Sequence, residues 1–134
     1  MRVALQRVSK ASVIVDNTEV SAISQGLLLL LGVEEADTNE DIAWLVKKIT
    51  QMRIFNDDQG KMNLSLLDIE AELLVVSQFT LHASTKKGNR PSFIKAAKPE
   101  HAKQLYEAFI SSAKQYCTTR AGVFGADMKI SIEN

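Results

Sequence analysis

Three neutral polar side chains follow the apolar segment "LLVV", residues 73–76, and could bind a reacting group. They are Ser77, Gln78 and Thr80, arranged around Phe79. Neutral polar groups beside main-chain N–H groups can hold a carbonyl and an amine by positioning and by oxyanion stabilisation. A threonine hydroxyl is a poor nucleophile without a base, and no candidate base is adjacent to Thr80 in the sequence. The residues alone favour another interpretation, in which these side chains cap a strand end through local hydrogen bonds.

Other kinds of site have less support in the sequence. Cys117 is the sole cysteine, so no intrachain disulfide can form, and a reducing compartment fits. We expect Cys117 to pack as a small apolar side chain. His82 and His101 lie in unrelated segments without a nucleophile-elbow context, which argues against a Ser-His-Asp triad. The sequence contains no cysteine pair, paired histidines or phosphate loop, so we expect no metal and no cofactor.

The length and charge of the chain limit its class. A chain of 134 residues predicts one domain, residues 1–134. Lysine plus arginine and aspartate plus glutamate number 16 each, so bulk charge does not indicate a nucleic acid or membrane partner. The longest uninterrupted apolar run, residues 27–31, is far shorter than a membrane span. The first residues lack the apolar core of a signal peptide, so a cytoplasmic location is expected.

One local cluster of charge departs from this balance. Between residues 86 and 103 there are six cations and one acid, Glu100. The six are Lys86, Lys87, Arg90, Lys95, Lys98 and Lys103. Two interpretations stay open: a solvated loop and helix start, or a set of contacts to backbone phosphates whose affinity would fall with salt.

The elements that must position the polar cluster follow from periodicity. Residues 26–33 and 72–81 are apolar on both faces, which is typical of central strands covered on both sides. If the second strand continues to Thr80, Ser77 and Phe79 share one face, and Gln78 and Thr80 share the other. The other predicted strands are at 3–8 and 12–15, after a turn at 16–20, on both sides of a turn within 53–63, and over 126–134, where the strand is half-buried. The two predicted helices begin after the N-cap Thr38 and at Pro99. Many strands with two helices packed on sheet faces predict an α+β fold.

Several blocks of the sequence, in order, resemble one family over essentially the whole chain. They are "MRVALQRVSKASV", "GLLLLLGVE", "RIFNDDQGKMNLSL", "SQFTL", "KKGNRPSF", "LYEAF" and "FGADMKISI". The family is that of the D-aminoacyl-tRNA deacylases of the bacterial and eukaryotic type. The resemblance implies a barrel-like α+β fold with an antiparallel or mixed sheet and two main helices. It also implies a homodimer with active sites at the interface, and no metal or cofactor.

The activity implied by the resemblance is a chiral proofreading step. It is hydrolysis of the ester that joins a D-amino acid, or glycine, to the terminal adenosine of tRNA. Ser77, Gln78, Phe79 and Thr80 would line the pocket for the aminoacyl-adenosine end. One view of the family makes the threonine a nucleophile, and another has the 2′-hydroxyl of the substrate assist while backbone amides hold the ester. Because Thr80 has no evident base, its chemistry favours the second view.

The resemblance also assigns substrate-binding residues outside this cluster. Arg7 would lie near the pocket and help to fix the specificity loop, whereas the residue alone also fits an exposed arginine in ion pairs. Met62 and Asn63 match the "KMN" segment of the family, and packing after a turn is the alternative for both.

The sequence departs from the family pattern at its C-terminus. The second family signature, Asn-x-Gly-Pro-Val-Thr, reaches into the active site of the partner subunit and excludes L-amino acids. Asn134 stands where that signature begins. The resemblance therefore predicts that the specificity segment and the final family strand that follows it are absent here. Without the segment the protein would lack its chiral filter, and without the strand one edge of the sheet would be exposed.

Two alternative functions stay open at this stage. One is a related deacylase that clears a different mischarged tRNA. The other is a nucleic-acid-binding relative without catalysis, against which the balanced charge argues.

Overall fold

The strands of the structure, a computed structural model that describes residues 1–134, form two sheets and a small hairpin. The strands are β1 Arg2–Val8, β2 Lys10–Val15, β3 Thr18–Ile23, β4 Gly26–Gly32, β5 Phe55–Asn56, β6 Met62–Leu64, β7 Glu72–Ser77, β8 Thr119–Ala121 and β9 Lys129–Glu133. The first sheet has the order β1-β4-β7-β8, the second β3-β2-β9, and β5 pairs with β6. In the first sheet β1 is antiparallel to β4, whereas β7 is parallel to both of its neighbours, so the sheet is mixed. This confirms the predicted α+β class.

The two apolar strands, β4 and β7, lie side by side in the centre of the first sheet. Alternate residues face opposite layers because side chains alternate along a strand. Leu27, Leu29 and Leu31 belong to the larger core, which also includes helix residues. Leu28 belongs to a smaller core with residues of β2, such as Val13. The expectation of strands covered on both sides is therefore confirmed.

Two helices, α1 Asn39–Gln51 and α2 Pro99–Lys114, cover one face of this sheet. Thr38 caps α1 as predicted, in a reciprocal capping box with Asp41. The same hydrogen bonds, chiefly from the Thr38 backbone N–H, lower the pKa of Asp41. Pro99 begins α2, where its missing N–H costs nothing. Neither helix is both long enough and apolar enough to cross a membrane.

Hairpin turns join the outer strands as the sequence predicts. Asp16 and Asn17 both adopt positive φ, 49° and 62°, between β2 and β3. Such a two-residue turn matches the twist of the strands that it connects. Asp57 closes the turn between β5 and β6 by accepting from the N–H groups of Gln59 and Lys61.

Two features of the first sheet differ from the prediction. β7 ends at Ser77, and Phe79–His82 form a 3₁₀ turn. The prediction that these polar residues alternate between two strand faces is therefore wrong. β8, with only three residues, was not predicted, because three residues are too few to show a periodicity.

The end of the neighbouring strand explains why β7 stops. The Gln78 N–H donates to the Leu31 carbonyl (2.8 Å), and β4 ends one residue later at Gly32. Beyond that point no strand residue is available for pairing on that side. The chain instead pairs with itself, since the Leu81 N–H donates to the Gln78 carbonyl (3.3 Å).

The strand predicted over residues 126–134 is present as β9 but is buried less than expected. β9 pairs with β2 at the edge of the second sheet. Ile130 is half-buried and packs against the smaller core. Ile132 is 50% exposed, because an edge strand is covered only where the opposite layer reaches it.

Candidate active site

The 3₁₀ turn after β7 fixes where the polar cluster lies. Ser77 and Gln78 are half-buried, and Phe79 projects with 57% of its surface exposed. The turn packs on Gly32, where an added Cβ would lie 3.0 Å from the Gln78 carbonyl oxygen and 3.1 Å from the His82 ring. A glycine at this position therefore allows the turn to approach β4 this closely.

His82 anchors the end of the same turn in the interior. Its side chain is 0% exposed, and neither ring nitrogen has a hydrogen-bond partner. Glu34 comes within 4.0 Å of Nδ1, at the limit of an ion pair. The imidazole therefore packs as an apolar group beneath the turn and makes no hydrogen bond to Thr80.

A groove with a volume of about 780 Å³ opens beside Ser77, Gln78 and Phe79. Such a volume is within the range of ligand-binding sites. Most of its walls are apolar, and they come from β4, β7, the loop before α2, α2 itself and the segment before β9. The residues of these walls include Leu31, Phe93, Ala97, Tyr106, Phe124 and Met128. Ser77, Gln78, Lys98 and Asp127 supply polar side chains, so the groove suits a mostly apolar ligand with a few polar groups.

Tyr106 connects the floor of the groove to the strand that carries the polar cluster. Its hydroxyl donates to the Val75 carbonyl at 3.0 Å and lies 3.2 Å from the Gly122 carbonyl. Burial raises the pKa of this phenol to about 12. The ring contacts Phe124, with 5.6 Å between the centroids. Tyr106 therefore holds α2, β7 and the segment after β8 together under the site.

Thr80 and Gln78 contact each other through their side chains. Gln78 Nε2 donates to Thr80 Oγ1. No carboxylate or imidazole hydrogen-bonds to the Thr80 hydroxyl in the structure. Thr80 is also absent from the groove lining, whereas Ser77, Gln78 and Phe79 belong to it. The geometry thus offers Thr80 as a partner for Gln78, without a base to deprotonate it.

Arg7 lies apart from this groove. Its Nη1 donates to the Ile54 carbonyl (2.6 Å), and the residue is half-buried. In the sheet register Arg7 is level with Leu27, while Ser77 is level with Leu31. Four residues along a strand correspond to about 13 Å. Within one chain, the structure does not bring Arg7 next to the polar cluster.

Met62 and Asn63 lie in β6, also apart from the groove. Met62 is 60% exposed. Asn63 Oδ1 accepts from Arg53 Nη2, and Asn63 Nδ2 donates to Asp57 (3.1 Å). The hydrogen bonds to Asp57, led by that from the Lys61 N–H, lower the pKa of its carboxyl group. Asn63 therefore links the turn of the small hairpin to Arg53.

Cys117 lacks the surroundings of a nucleophile. It is half-buried, and its Sγ lies 3.6 Å from the Thr119 hydroxyl. Burial raises the pKa of the thiol, which disfavours the reactive thiolate. The residue packs against the larger core, as expected for a small apolar filler.

Comparison with known proteins identifies the family. The family described as D-Tyr-tRNA(Tyr) deacylase matches residues 4–134. The chain belongs to this family. A D-aminoacyl-tRNA deacylase of Flavobacterium johnsoniae is 54% identical, over 100% of this chain and 91% of that protein. A D-aminoacyl-tRNA deacylase of Bacteroides fragilis is 56% identical, with the same coverage.

Solved structures of similar chains share the fold. A chain described as c-Myc DNA Unwinding Element Binding Protein has a TM-score of 0.94 and 39% identity, over 100% of this chain and 92% of that one. A chain described as a probable eukaryotic D-amino acid tRNA deacylase has a TM-score of 0.85 and 18% identity, over 98% and 92%. The second likeness concerns the fold alone.

Sequence reasoning missed most of the groove. The sequence predicted the helix that contains Tyr106 and the strand segment that contains Met128, but it assigned no role in a site to either residue or to Phe93 and Phe124. The hydroxyl of Tyr106 on an otherwise apolar helix face was one available signal, because a buried tyrosine needs a hydrogen-bond partner. For the other three, only the packing of the folded chain reveals that they meet at one site.

Proposed function

We propose that this protein hydrolyses the ester bond of D-aminoacyl-tRNA, and of mischarged glycyl-tRNA, as a proofreading step in translation. Membership of the deacylase family supports the activity. The groove beside Ser77, Gln78 and Phe79 supports the location of the active site, because it is large enough for an aminoacyl-adenosine end. In the reaction, a water oxygen bonds to the ester carbonyl carbon, and the bond to the ribose oxygen breaks. The ribose oxygen takes a proton, and free D-amino acid and tRNA are released.

The residues of the turn act in this proposal by positioning. Ser77 and Gln78 offer neutral hydrogen-bonding groups to the aminoacyl part, and Phe79 offers a ring surface. The first N–H groups of a helical turn have no partner within it. Those of Phe79 and Thr80 are therefore proposed to hold the carbonyl oxygen as negative charge develops. Thr80 orients Gln78, and the adjacent 2′-hydroxyl of the substrate assists the attack.

We propose further features of the family for this chain. Residues 1–134 act as one deacylase domain in the cytoplasm, and the two sheets curve into a barrel-like arrangement. The protein forms a homodimer with active sites at the interface. Arg7, Met62 and Asn63 lie away from the groove of their own chain, so in this proposal they contribute to substrate binding through the dimer interface. Sedimentation analysis tests this part, and a monomer at all concentrations assayed would contradict it.

Release of labelled tyrosine from D-tyrosyl-tRNA(Tyr) tests the proposed activity. Wild-type protein is expected to accelerate release above the spontaneous rate. Gln78→Ala is expected to lower kcat/KM by about tenfold, the effect of losing one positioning contact. Gln51→Ala, an exposed glutamine on α1, is the matched control. A wild-type rate equal to the spontaneous rate would overturn the proposal. L-tyrosyl-tRNA(Tyr) is the second substrate. Because residues 1–134 do not include the Gly-Pro signature, equal hydrolysis of both substrates would leave the deacylase activity in place and remove the chiral part of the proposal.

A second function has one observation in its favour. The structural likeness to the chain described as c-Myc DNA Unwinding Element Binding Protein, at 39% identity, supports a nucleic-acid-binding function. Strongly salt-dependent binding of duplex DNA, together with an absence of ester hydrolysis, would favour this function over the first.

A further inference from the structure

The loop between the 3₁₀ turn and α2 contains a defined hairpin, here called the basic hairpin (residues 84–92). Ser84 and Ser92 exchange two backbone hydrogen bonds of 2.8 and 2.9 Å at its base. Gly88, with φ +67°, lies at the tip, and nothing is within 4 Å of the position of a Cβ there. Residues 85–91 are all exposed. The hairpin is therefore a built projection whose tip stands free in solvent.

The charge of the basic hairpin is uncompensated. Its tip carries Lys86, Lys87 and Arg90, and the chain contains no aspartate or glutamate between residues 73 and 99. Each ion pair in the structure lies elsewhere, so none of these three cations has a carboxylate partner. The backbone N–H of Lys98, immediately before α2, donates to Glu35, so this acidic contact lies at the far end of the loop, six residues beyond Ser92. A positive tip on a chain with no net charge favours a polyanionic partner.

The basic hairpin is joined directly to a wall of the groove. Phe93, directly after the hairpin, lines the groove and meets Phe79 edge-on. Arg90 is only three positions before Phe93 in the chain, which limits the distance between their Cα atoms to about 10 Å. A nucleic acid whose terminal nucleotide occupies the groove continues outward past its mouth. Its first backbone phosphates then come within reach of the tip.

We propose that the basic hairpin binds the phosphates of the acceptor end of the substrate tRNA, and that Lys86, Lys87 and Arg90 make these contacts. The inference rests on the proposed function, because the groove must hold the aminoacyl end of tRNA. The three cations add affinity for the tRNA body and leave the chemistry at the ester unchanged. Each neutralised phosphate releases counterions, so binding through the hairpin weakens as salt is added.

The test compares two substrates with two triple variants. The variant Lys86→Ala/Lys87→Ala/Arg90→Ala removes the tip charge, and Lys47→Ala/Lys48→Ala/Lys114→Ala removes three exposed cations of the helices as the matched control. The substrates are D-tyrosyl-tRNA(Tyr) and the minimal ester D-tyrosyl-adenosine. At 50 mM salt we expect the tip variant to lose about 40-fold or more in kcat/KM on the tRNA, because three phosphate contacts contribute at least that factor at low salt. On the minimal ester it should match wild type, as should the control on both.

Salt dependence supplies a second readout that a structural defect would not reproduce. Three phosphate contacts predict that wild type loses about 20- to 40-fold more in kcat/KM than the tip variant between 50 and 200 mM salt. A tip variant with wild-type activity and salt dependence on tRNA would overturn the inference. So would a control variant that loses as much as the tip variant.

Binding of uncharged tRNA(Tyr) keeps the inference separate from the proposed function. If wild type hydrolyses neither ester, the proposed function fails, and binding still reports on the hairpin. Weaker binding by the tip variant than by the control supports the hairpin contact, and equal binding overturns it. Urea unfolding confirms that each variant is folded, which is expected because the substituted side chains are exposed.

Discussion

The ring of Phe79 meets the ring of Phe93 edge-on, with 5.3 Å between centroids and 78° between planes. Phe79 begins the 3₁₀ turn that carries the polar cluster, and Phe93 belongs to the loop that reaches the basic hairpin. One aromatic contact thus joins the groove that is proposed to hold the ester to the loop that is proposed to hold the tRNA. Both rings line the groove.

Truncation of Phe93 should weaken substrate binding more than it slows the chemical step. An edge-to-face pair contributes about 0.5–1.5 kcal/mol beyond its area of burial. Phe93→Ala is therefore expected to raise the KM for D-tyrosyl-tRNA(Tyr) by about two- to tenfold, with kcat nearly unchanged. Val20→Ala, at an apolar residue of β3 that is 43% exposed and lies outside the groove lining, is the control and should match wild type. A loss confined to kcat would contradict this assignment.

Thr80→Ala should cause a modest loss of activity. The threonine hydroxyl accepts from Gln78 and has no base, so its removal frees the Gln78 side chain and leaves the attacking group in place. We expect kcat/KM to fall by about tenfold or less, and Thr80→Ser to restore it. Single-turnover rates on D-tyrosyl-tRNA(Tyr) provide the measurement. A loss of several orders of magnitude in a folded variant would revive the nucleophile role.

His82→Leu should stabilise the protein. The imidazole is fully buried and both nitrogens lack partners, and an unsatisfied buried polar group costs about 1–3 kcal/mol. Leucine removes that cost with a side chain of similar size, so we expect the free energy of unfolding in urea to rise by about 1 kcal/mol. Deacylase activity should persist. Loss of activity in the stabilised variant would show that the imidazole acts on the substrate or on Thr80.

The buried phenol of Tyr106 should make the free energy of unfolding fall at alkaline pH. Its pKa is raised to about 12 in the folded protein, while in the unfolded chain it returns to about 10. The stability that this shift contributes is fully present below pH 10 and is lost as pH rises towards 12. Tyr106→Phe should cost about 1 kcal/mol at pH 7 through the lost hydrogen bond and should flatten the alkaline loss. Tyr116→Phe, at a tyrosine that is 44% exposed, should keep the wild-type profile.

Much of the fold was predictable because its signals are local. Thr38, the turn at Asp16 and Asn17, and Pro99 each act through hydrogen bonds or dihedral preferences of a few neighbouring residues. The double-faced apolar pattern of β4 likewise follows from its position between two layers. These elements agree with the sequence because local preference and tertiary packing favour the same structure.

The site was predictable only in part, because its geometry depends on where neighbouring strands stop. The sequence marked Ser77, Gln78, Phe79 and Thr80 as a group. It could not show that β4 ends at Gly32 and so forces the group into a turn. Nor could it show that distant segments meet around the group, since their side chains are ordinary core residues when each segment is considered alone.

The binding position of the aminoacyl-adenosine end tests the central claim most directly. The measurement is the change in backbone amide NMR signals on titration with the amide analogue of D-tyrosyl-adenosine, which cannot be hydrolysed as the ester can. The largest changes are predicted at residues 77–80, at Phe93 and around Tyr106. Changes confined to another surface, such as the exposed face of α1 around Trp44, would contradict the account, as would the absence of any change at saturating analogue.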